Sequence, residues 1–261
     1  MSTPTEWVTE RRVVIKDDPA GVADAIGSRL VRKLVSWTAH GRPVHISLTG
    51  GSTGIASLRA AAVHPDGGRI DWSLVHFWWS DERFVPRADP ERNALQAREA
   101  LLDRIAVPPV NIHEMAASDE GMDLDAAAAA YARELARFGS DAQPWPVFDL
   151  CLLGVGPDAH IASLFPDRAE IRITDAAAVP VRESPKPPPE RISLTRPVIN
   201  SSVRIWLGLA GADKASALGL ILAGASYASV PAAGAKGRRR TFVFVDRAAA
   251  AHVPPELIEP D

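Results

Sequence analysis

Short apolar runs alternate along the chain with longer segments whose apolar positions recur every three or four residues. The runs at 44–48 and 147–153 are typical of buried strands. Asp18 predicts a helix N-cap, with Pro19 at the first helical position. Regular alternation of strands and helices favours an α/β protein with a Rossmann-like, open, mostly parallel sheet flanked by helices.

The same pattern predicts the remaining elements. Strands are expected at 12–15, 74–79, 110–115, 178–181, 191–195, 203–209 and 241–245, and helices at 55–63, 91–103, 123–138 and 213–222, with one helical turn at 162–165. The Ser-Pro-Lys-Pro-Pro-Pro stretch at 184–189 has the composition of a stiff linker. Because the flanking segments show no shift in composition, we interpret it as a rigid surface loop and expect a single domain over residues 1–261.

Composition and charge narrow the class of protein. With 46% hydrophobic and 23% charged residues over 261 positions, the chain can bury a large core, which excludes disordered and fibrous classes. Twenty-nine Lys and Arg against 32 Asp and Glu give a net charge of -3. The only dense basic run is at 236–240, so we expect no nucleic-acid partner.

Several sequence features bear on cellular location. The apolar stretches are all shorter than the ~20 residues that a membrane helix needs. The first ten residues lack the apolar segment of a signal peptide. Cys151 is the only cysteine, which excludes an intrachain disulfide and a multi-thiolate metal site and fits a reducing compartment. We therefore expect a cytoplasmic protein with no membrane partner.

A glycine-rich loop follows the strand at 44–48. The sequence Thr-Gly-Gly-Ser-Thr-Gly at 49–54 lies where a strand ends and a helix begins. Backbone amides of Gly50 and Gly51, the Ser52 hydroxyl and the helix N-terminus could together bind a phosphate. The loop lacks the lysine of a Walker A motif. A tight turn without a ligand is the alternative.

A second loop follows the apolar run at 147–153. Its Gly-Val-Gly-Pro-Asp-Ala sequence matches G-x-G-x-x-G/A in letter, but Pro157 and Pro166 leave no room for the long crossover helix of a dinucleotide site. Asp158 and His160 instead lie at the end of a buried strand, where ligands of open α/β sheets bind. His160 is therefore the best acid–base candidate among seven histidines, with a structural histidine as the alternative.

Further charged groups lie where strands and helices begin or end. Ser-Asp-Glu-Arg at 80–83 follows the strand at 74–79 and ends on Arg83. Arg191 opens a strand, and Lys214 begins a helix. Either cation could neutralise a phosphate. A solvated loop and two surface charges are the alternatives.

Taken together and in order, these segments resemble a known family. The most specific is Gly-Pro-Asp-Ala-His-Ile-Ala-Ser-Leu-Phe-Pro at 156–166, supported by the glycine loop, Trp-Ser-Asp-Glu-Arg-Phe-Val-Pro at 79–86 with Asn93 downstream, Arg-Ile-Ser-Leu-Thr at 191–195 and Gly-Ala-Asp-Lys-Ala at 211–215. The match runs from about residue 44 to 246. The chain resembles the 6-phosphogluconolactonase family, within the superfamily that includes glucosamine-6-phosphate deaminase.

The resemblance implies hydrolysis of a phosphorylated sugar δ-lactone in the pentose phosphate pathway. It implies that His160 activates water and then protonates the leaving ring oxygen, that Asp158 orients His160, and that Arg83 lies near the reacting end. It also implies a phosphate site formed by a set of five residues: Gly50, Gly51, Ser52, Arg191 and Lys214. No cofactor and no metal are expected, and the chain is expected to be a monomer or a weak homo-oligomer.

The chain departs from the family pattern at three positions. Ala159 replaces a usual glycine, Ile161 a common threonine, and Gly54 a frequent proline. None of these changes removes an ionisable group. Because alanine is costly in left-handed geometry, we expect a negative φ at Ala159, with the methyl group turned away from the lactone.

Two other functions compete with this expectation. An amino-sugar-phosphate isomerase or deaminase would typically carry Asp-Glu-Tyr where this chain has Asp-Glu-Arg, ending on Arg83. A sugar-phosphate sensor would carry a DNA-binding module, for which we find no spare segment before Arg12. Retention of Asp158 and His160 also favours turnover.

Overall fold

In the part of the chain that the structure describes, six parallel strands form the central sheet. A computed structural model of the chain describes residues 10–251 and 253. The strands are β1 (Glu10–Lys16), β2 (Val44–Leu48), β3 (Val75–Trp79), β5 (Leu150–Gly154), β8 (Arg204–Leu209) and β9 (Arg240–Asp246), in the spatial order β1-β9-β8-β5-β2-β3. Every neighbouring pair is parallel. The predicted open parallel sheet is confirmed.

A second, smaller sheet was not predicted. It contains β4 (Asp81–Arg83), β7 (Arg191–Leu194) and β6 (Ala178–Val181), paired antiparallel in the order β4-β7-β6. Sequence analysis predicted no strand at 80–83 and gave a solvated loop as the alternative to a charged site. The backbone groups of this segment pair with β7, and the side chains of Asp81 and Glu82 are buried.

Within the described residues, six α-helices flank the sheet. They are α1 (Pro19–Thr38), α2 (Gly51–Ala62), α3 (Asn93–Ala100), α4 (Leu124–Ala136), α5 (Arg196–Asn200) and α6 (Ala215–Leu222). The predicted N-cap of α1 is confirmed, since the Asp18 carboxylate accepts the Gly21 N–H at 2.8 Å. α2 begins four residues earlier than expected, within the glycine loop itself, and α5 was not expected.

Two predicted elements are wrong. The strand at 110–115 is absent, because Pro108 and Pro109 start a 3-10 turn and only Ile112 makes a bridge to the sheet. The helical turn at 162–165 is also absent. Ala162 has a φ of +49°, which is incompatible with a right-handed helix, and the segment folds as a turn.

The connections create a crevice between β2 and β5. From β2 the chain moves outward to β3 on one side, whereas from β5 it moves to β8 and β9 on the other. Ligands of open α/β sheets bind at such a switch point, outside the carboxyl ends of the strands. The loop after β2 (residues 49–54, the glycine loop) and the loop after β5 (residues 155–165, the histidine loop) therefore face each other there.

The structure leaves part of the chain undescribed. The predicted absence of a signal peptide concerns residues outside the described range, as do both ends of the predicted domain at 1–261. Within residues 10–251 and 253, no helix is long and apolar enough to cross a bilayer.

Candidate active site

A cavity of about 210 Å³ lies at the switch point. Its walls come from both facing loops, from β4 and from the loop between β8 and α6. Seven of the eight predicted site residues line it: Gly50, Gly51, Ser52, Arg83, His160, Arg191 and Lys214. The eighth, Asp158, contacts His160 from behind.

The glycine loop forms one wall, and its glycines are required by geometry. A Cβ on Gly50 would lie 1.8 Å from Oδ1 of Asn93, so no side chain fits there. Gly51 has a φ of +79°, a left-handed conformation that favours glycine. The Thr49 hydroxyl accepts the Gly154 N–H at 3.1 Å, which joins this loop to the end of β5.

The histidine loop forms the opposite wall as a tight hairpin. Gly156 N–H donates to the carbonyl of His160 at 3.1 Å, and Ala159 N–H donates to the carbonyl of Gly156 at 2.9 Å. Three-residue hairpin loops of this type place their last residue in left-handed geometry. Ala159 accordingly has a φ of +62°, so the expected negative φ is wrong. The reversal that presents His160 imposes this conformation.

His160 and Asp158 form a close acid–base pair. Nδ1 of His160 lies 2.6 Å from Oδ1 of Asp158, and the imidazole is 14% exposed. The carboxylate fixes the proton on Nδ1, which leaves Nε2 to accept a proton. Burial raises the pKa of Asp158, but the hydrogen bond and charge of His160, with the charge of Lys186, outweigh it and hold the pKa well below its usual range.

Arg191 is a buried cation with several partners. Its guanidinium donates to three consecutive carbonyls of the 184–189 segment, which we call the proline loop. They are those of Lys186, Pro187 and Pro188, at 3.0 to 3.2 Å. Nη1 lies 3.5 Å from the Ser163 hydroxyl. The predicted strand start at Arg191 is confirmed, and its side chain both lines the cavity and holds the 184–189 loop in place.

Arg83 and Lys214 bring two further positive charges to the cavity. Nη1 of Arg83 donates to the Glu91 carbonyl at 2.5 Å, whereas its buried Nε has no hydrogen-bond partner among the described residues. Lys214 is 18% exposed, and its Nζ lies 3.2 Å from Asp213. Three cations against the single lining carboxylate of Asp81 favour an anionic ligand.

Sequence analysis missed the residues that brace this site. Lys186 lies 3.6 Å from Asp158, and the Ser163 hydroxyl donates to Asp81 at 2.7 Å. Glu82 caps α3 by accepting the N–H groups of Asn93 and Ala94 at 2.7 and 2.8 Å. Burial raises its pKa to about 7, against the opposing charge of Arg92. Lys186 was hidden in a proline-rich segment, where only the fold could bring it to Asp158.

The described part of the chain offers no set of side chains that could bind a metal ion. No group of three or more His, Cys, Asp or Glu side chains there is arranged to hold an ion. The cavity presents hydroxyl groups, backbone amides and cations, which suit an anionic oxygen-rich ligand.

Fold and site define a class: an α/β protein with a histidine–carboxylate pair and a glycine-rich helix N-terminus that face each other at the switch point of its sheet. Residues 17–244 match the family model described as glucosamine-6-phosphate isomerases/6-phosphogluconolactonase. The chain belongs to this family, as its sequence motifs led us to expect.

Individual relatives agree with the family match. The chain is 47% identical to a 6-phosphogluconolactonase of Streptomyces coelicolor, over 95% of this chain and 97% of that protein. It is also 47% identical to a 6-phosphogluconolactonase of Mycobacterium leprae, over 93% and 98% of the two chains. The crystal structure of a 6-phosphogluconolactonase from Thermotoga maritima superposes with a TM-score of 0.78 at 26% identity, covering 91% of this chain and 100% of that one.

Proposed function

We propose that this protein hydrolyses 6-phospho-D-glucono-1,5-lactone to 6-phosphogluconate in the oxidative pentose phosphate pathway. The observation that carries the proposal is the His160–Asp158 pair, 2.6 Å apart, at the wall of a cavity that also presents three cations. Relatives named as 6-phosphogluconolactonases at 47% identity over nearly the whole chain support the choice of substrate.

The proposed reaction begins with a water molecule beside His160. Nε2 accepts a proton from this water as its oxygen attacks the lactone carbonyl carbon, and the carbonyl electron pair moves onto oxygen. The resulting oxyanion needs a donor, and the guanidinium group of Arg83, which lines the cavity, is suited to that role. When the tetrahedral intermediate collapses, the bond to the ring oxygen breaks and His160 returns its proton to that oxygen.

The proposed phosphate site lies at the start of α2. The backbone amides of Gly50 and Gly51, the Ser52 hydroxyl and the helix N-terminus form a cradle. Arg191 and Lys214 supply the positive charge that a dianionic phosphate requires. Asp158 acts through His160 by fixing its orientation and tautomer.

The direct test is an assay on freshly prepared 6-phosphogluconolactone. We expect hydrolysis well above the spontaneous rate, measured as acid release at constant pH. Glucosamine 6-phosphate serves as the second substrate, because the family model also covers isomerases. Ammonia release from that compound would contradict the proposal, and so would tight binding of the lactone without turnover, as a sensor would show.

Location and assembly belong to the same proposal. A cytoplasmic protein is consistent with the single, fully buried thiol of Cys151. Association as a monomer or a weak homo-oligomer stays a prediction, and sedimentation analysis over a hundredfold range of protein concentration would test it.

A further inference from the structure

Lys186 contacts the acid–base pair of the candidate active site through its carboxylate. Nζ of Lys186 lies 3.6 Å from Oδ1 of Asp158, the same oxygen that lies 2.6 Å from Nδ1 of His160. His160 lines the cavity, whereas Lys186 does not. The ammonium group is therefore placed to act on the reaction through Asp158 rather than by touching a bound substrate.

The proline loop fixes the place from which Lys186 reaches Asp158, although the side chain is 42% exposed. The Lys186 carbonyl accepts a hydrogen bond from the buried Arg191 at 3.0 Å, and the Lys186 N–H donates to the Ser184 hydroxyl at 3.4 Å. Ser184 N–H donates to the Pro189 carbonyl at 2.9 Å, which closes the loop. Because the backbone is held in this way, less entropy is lost in forming the ion pair than between two mobile surface chains.

Two positive groups share the Asp158 carboxylate when His160 is protonated. Burial raises the pKa of Asp158, but the hydrogen bond and charge of His160, with the charge of Lys186, hold it well below its usual range. The carboxylate stabilises the imidazolium form of His160. Since Lys186 lies against the same oxygen, its charge reduces that stabilisation. An imidazole with the carboxylate alone would therefore hold its proton more tightly.

Few other groups compete with Lys186 for this role. Phe165 covers one side of His160, with 4.6 Å between the ring centres, and carries no charge. In the part of the chain that the structure describes, His160 and Lys186 are the two side chains that form ion pairs with Asp158. The remaining charged groups that line the cavity with His160 come from β4, β7 and the segment before α6: Asp81, Arg83, Arg191 and Lys214.

We propose that Lys186 is a positioning residue of the lactonase reaction, which holds the Asp158 carboxylate and weakens its stabilisation of the His160 imidazolium. The inference rests on the proposed function, because it assigns a role within the same site. His160 must be neutral to accept a proton from water, and it must then release that proton to the leaving ring oxygen. Lys186 favours both requirements, since it makes the imidazolium form less stable.

The pH profile of kcat/KM for 6-phosphogluconolactone tests the proposal in Lys186→Met, which keeps the length of the side chain and removes its charge. Without the ammonium group, Asp158 stabilises the imidazolium more strongly, so His160 stays protonated to a higher pH. We expect the acidic limb of the profile to move upward by roughly 0.3 to 0.7 pH unit, about a two- to fivefold loss of kcat/KM on that limb. The plateau at higher pH should stay within about threefold of the parent.

Matched variants separate charge from structure. Lys186→Arg keeps the positive charge and should restore the parent profile. Lys236→Met removes an exposed lysine that does not line the cavity and should leave the profile unchanged. A nuclear magnetic resonance titration of the His160 ring, identified as the signal lost in His160→Ala, should show the same upward shift in Lys186→Met without any turnover.

Two results would overturn the inference. One is a Lys186→Met variant whose acidic limb and ring titration both coincide with those of the parent. The other is a change confined to KM for the phosphorylated lactone, which would make Lys186 a contact of the substrate. Absence of lactone hydrolysis by the parent would instead contradict the proposed function, and the ring titration would still show whether Lys186 acts on His160.

Discussion

The glycine loop after β2 and the histidine loop after β5 line the same cavity, but they differ in which residues adopt a positive φ. The glycine loop has glycine where a side chain would collide, at Gly50, and where φ is positive, at Gly51. The histidine loop places two alanines, Ala159 and Ala162, in left-handed geometry. The first loop is relaxed, whereas the second stores strain that the surrounding packing must offset.

The two alanines show what offsets the strain. Ala159 and Ala162 are 2% and 6% exposed, so each methyl group packs in the core. Burial of a methyl group contributes ~0.8 kcal/mol, which is similar to the cost of a left-handed alanine. The loop that carries the proposed acid–base pair is therefore fixed by packing, whereas the cradle is shaped by the absence of side chains.

The largest expected effect comes from removing the imidazole. His160→Ala should lower kcat by about 10² to 10⁴, the usual contribution of a positioned proton-transfer group. The assay is lactone hydrolysis, with circular dichroism to show that the fold is retained. The control is His40→Ala, which changes an exposed histidine that does not line the cavity. An activity within threefold of the parent would remove His160 from the mechanism.

The next largest effect tests the proposed phosphate site. Lys214→Ala should lower kcat/KM by about 10- to 150-fold, because a charge-assisted hydrogen bond contributes roughly 1.5 to 3 kcal/mol. Hydrolysis of unphosphorylated gluconolactone should barely change, and the exposed Lys236→Ala should affect neither substrate. Equal losses on both lactones would place Lys214 away from the phosphate.

A smaller effect isolates backbone geometry in the glycine loop. A Cβ on Gly51 would meet no atom within 4 Å, so Gly51→Ala adds no collision and tests only the positive φ. We expect the free energy of unfolding to fall by about 1 to 2 kcal/mol in urea titrations. Gly67→Ala is the control, since it also opens into free space but without a left-handed φ. Equal changes in both variants would show that φ is not the cause.

The smallest effect is the reverse change in the histidine loop. Ala159→Gly relieves left-handed strain but removes a buried methyl group and adds freedom to the unfolded chain, each by about 1 kcal/mol. Stability should therefore change by less than about 1 kcal/mol and kcat/KM by less than about threefold. A large gain in stability would mean that packing does not offset the strain.

The sequence predicted the elements whose chemistry is local. The Asp18 N-cap and the strands at 44–48 and 178–181 follow from periodicity and caps, and they are confirmed. β4 was missed because its backbone is paired with β7, more than a hundred residues away, while its side chains look like those of a loop.

The error at Ala159 has a different origin. The signal was present, because Gly-Pro-Asp-x is typical of a tight turn whose last residue is left-handed. The expectation followed the preference of alanine for a negative φ, whereas the hairpin turn requires a positive φ at this position. The contact between Lys186 and Asp158 could not be predicted in this way, since it depends on how Arg191 holds the proline loop.

Arg191 restricts how this cavity could be adapted to a new compound. A replacement that removed the guanidinium of Arg191 from the cavity would also release the carbonyls at 186–188 and shift the ammonium group beside Asp158. Engineering of substrate range is therefore better begun at Ser52 and Lys214, whose side chains hold no loop in place through the contacts described above. Substitutions should therefore be tolerated well at Ser52 and Lys214 and poorly at the buried Arg191, which lines the cavity and also binds the loop behind it.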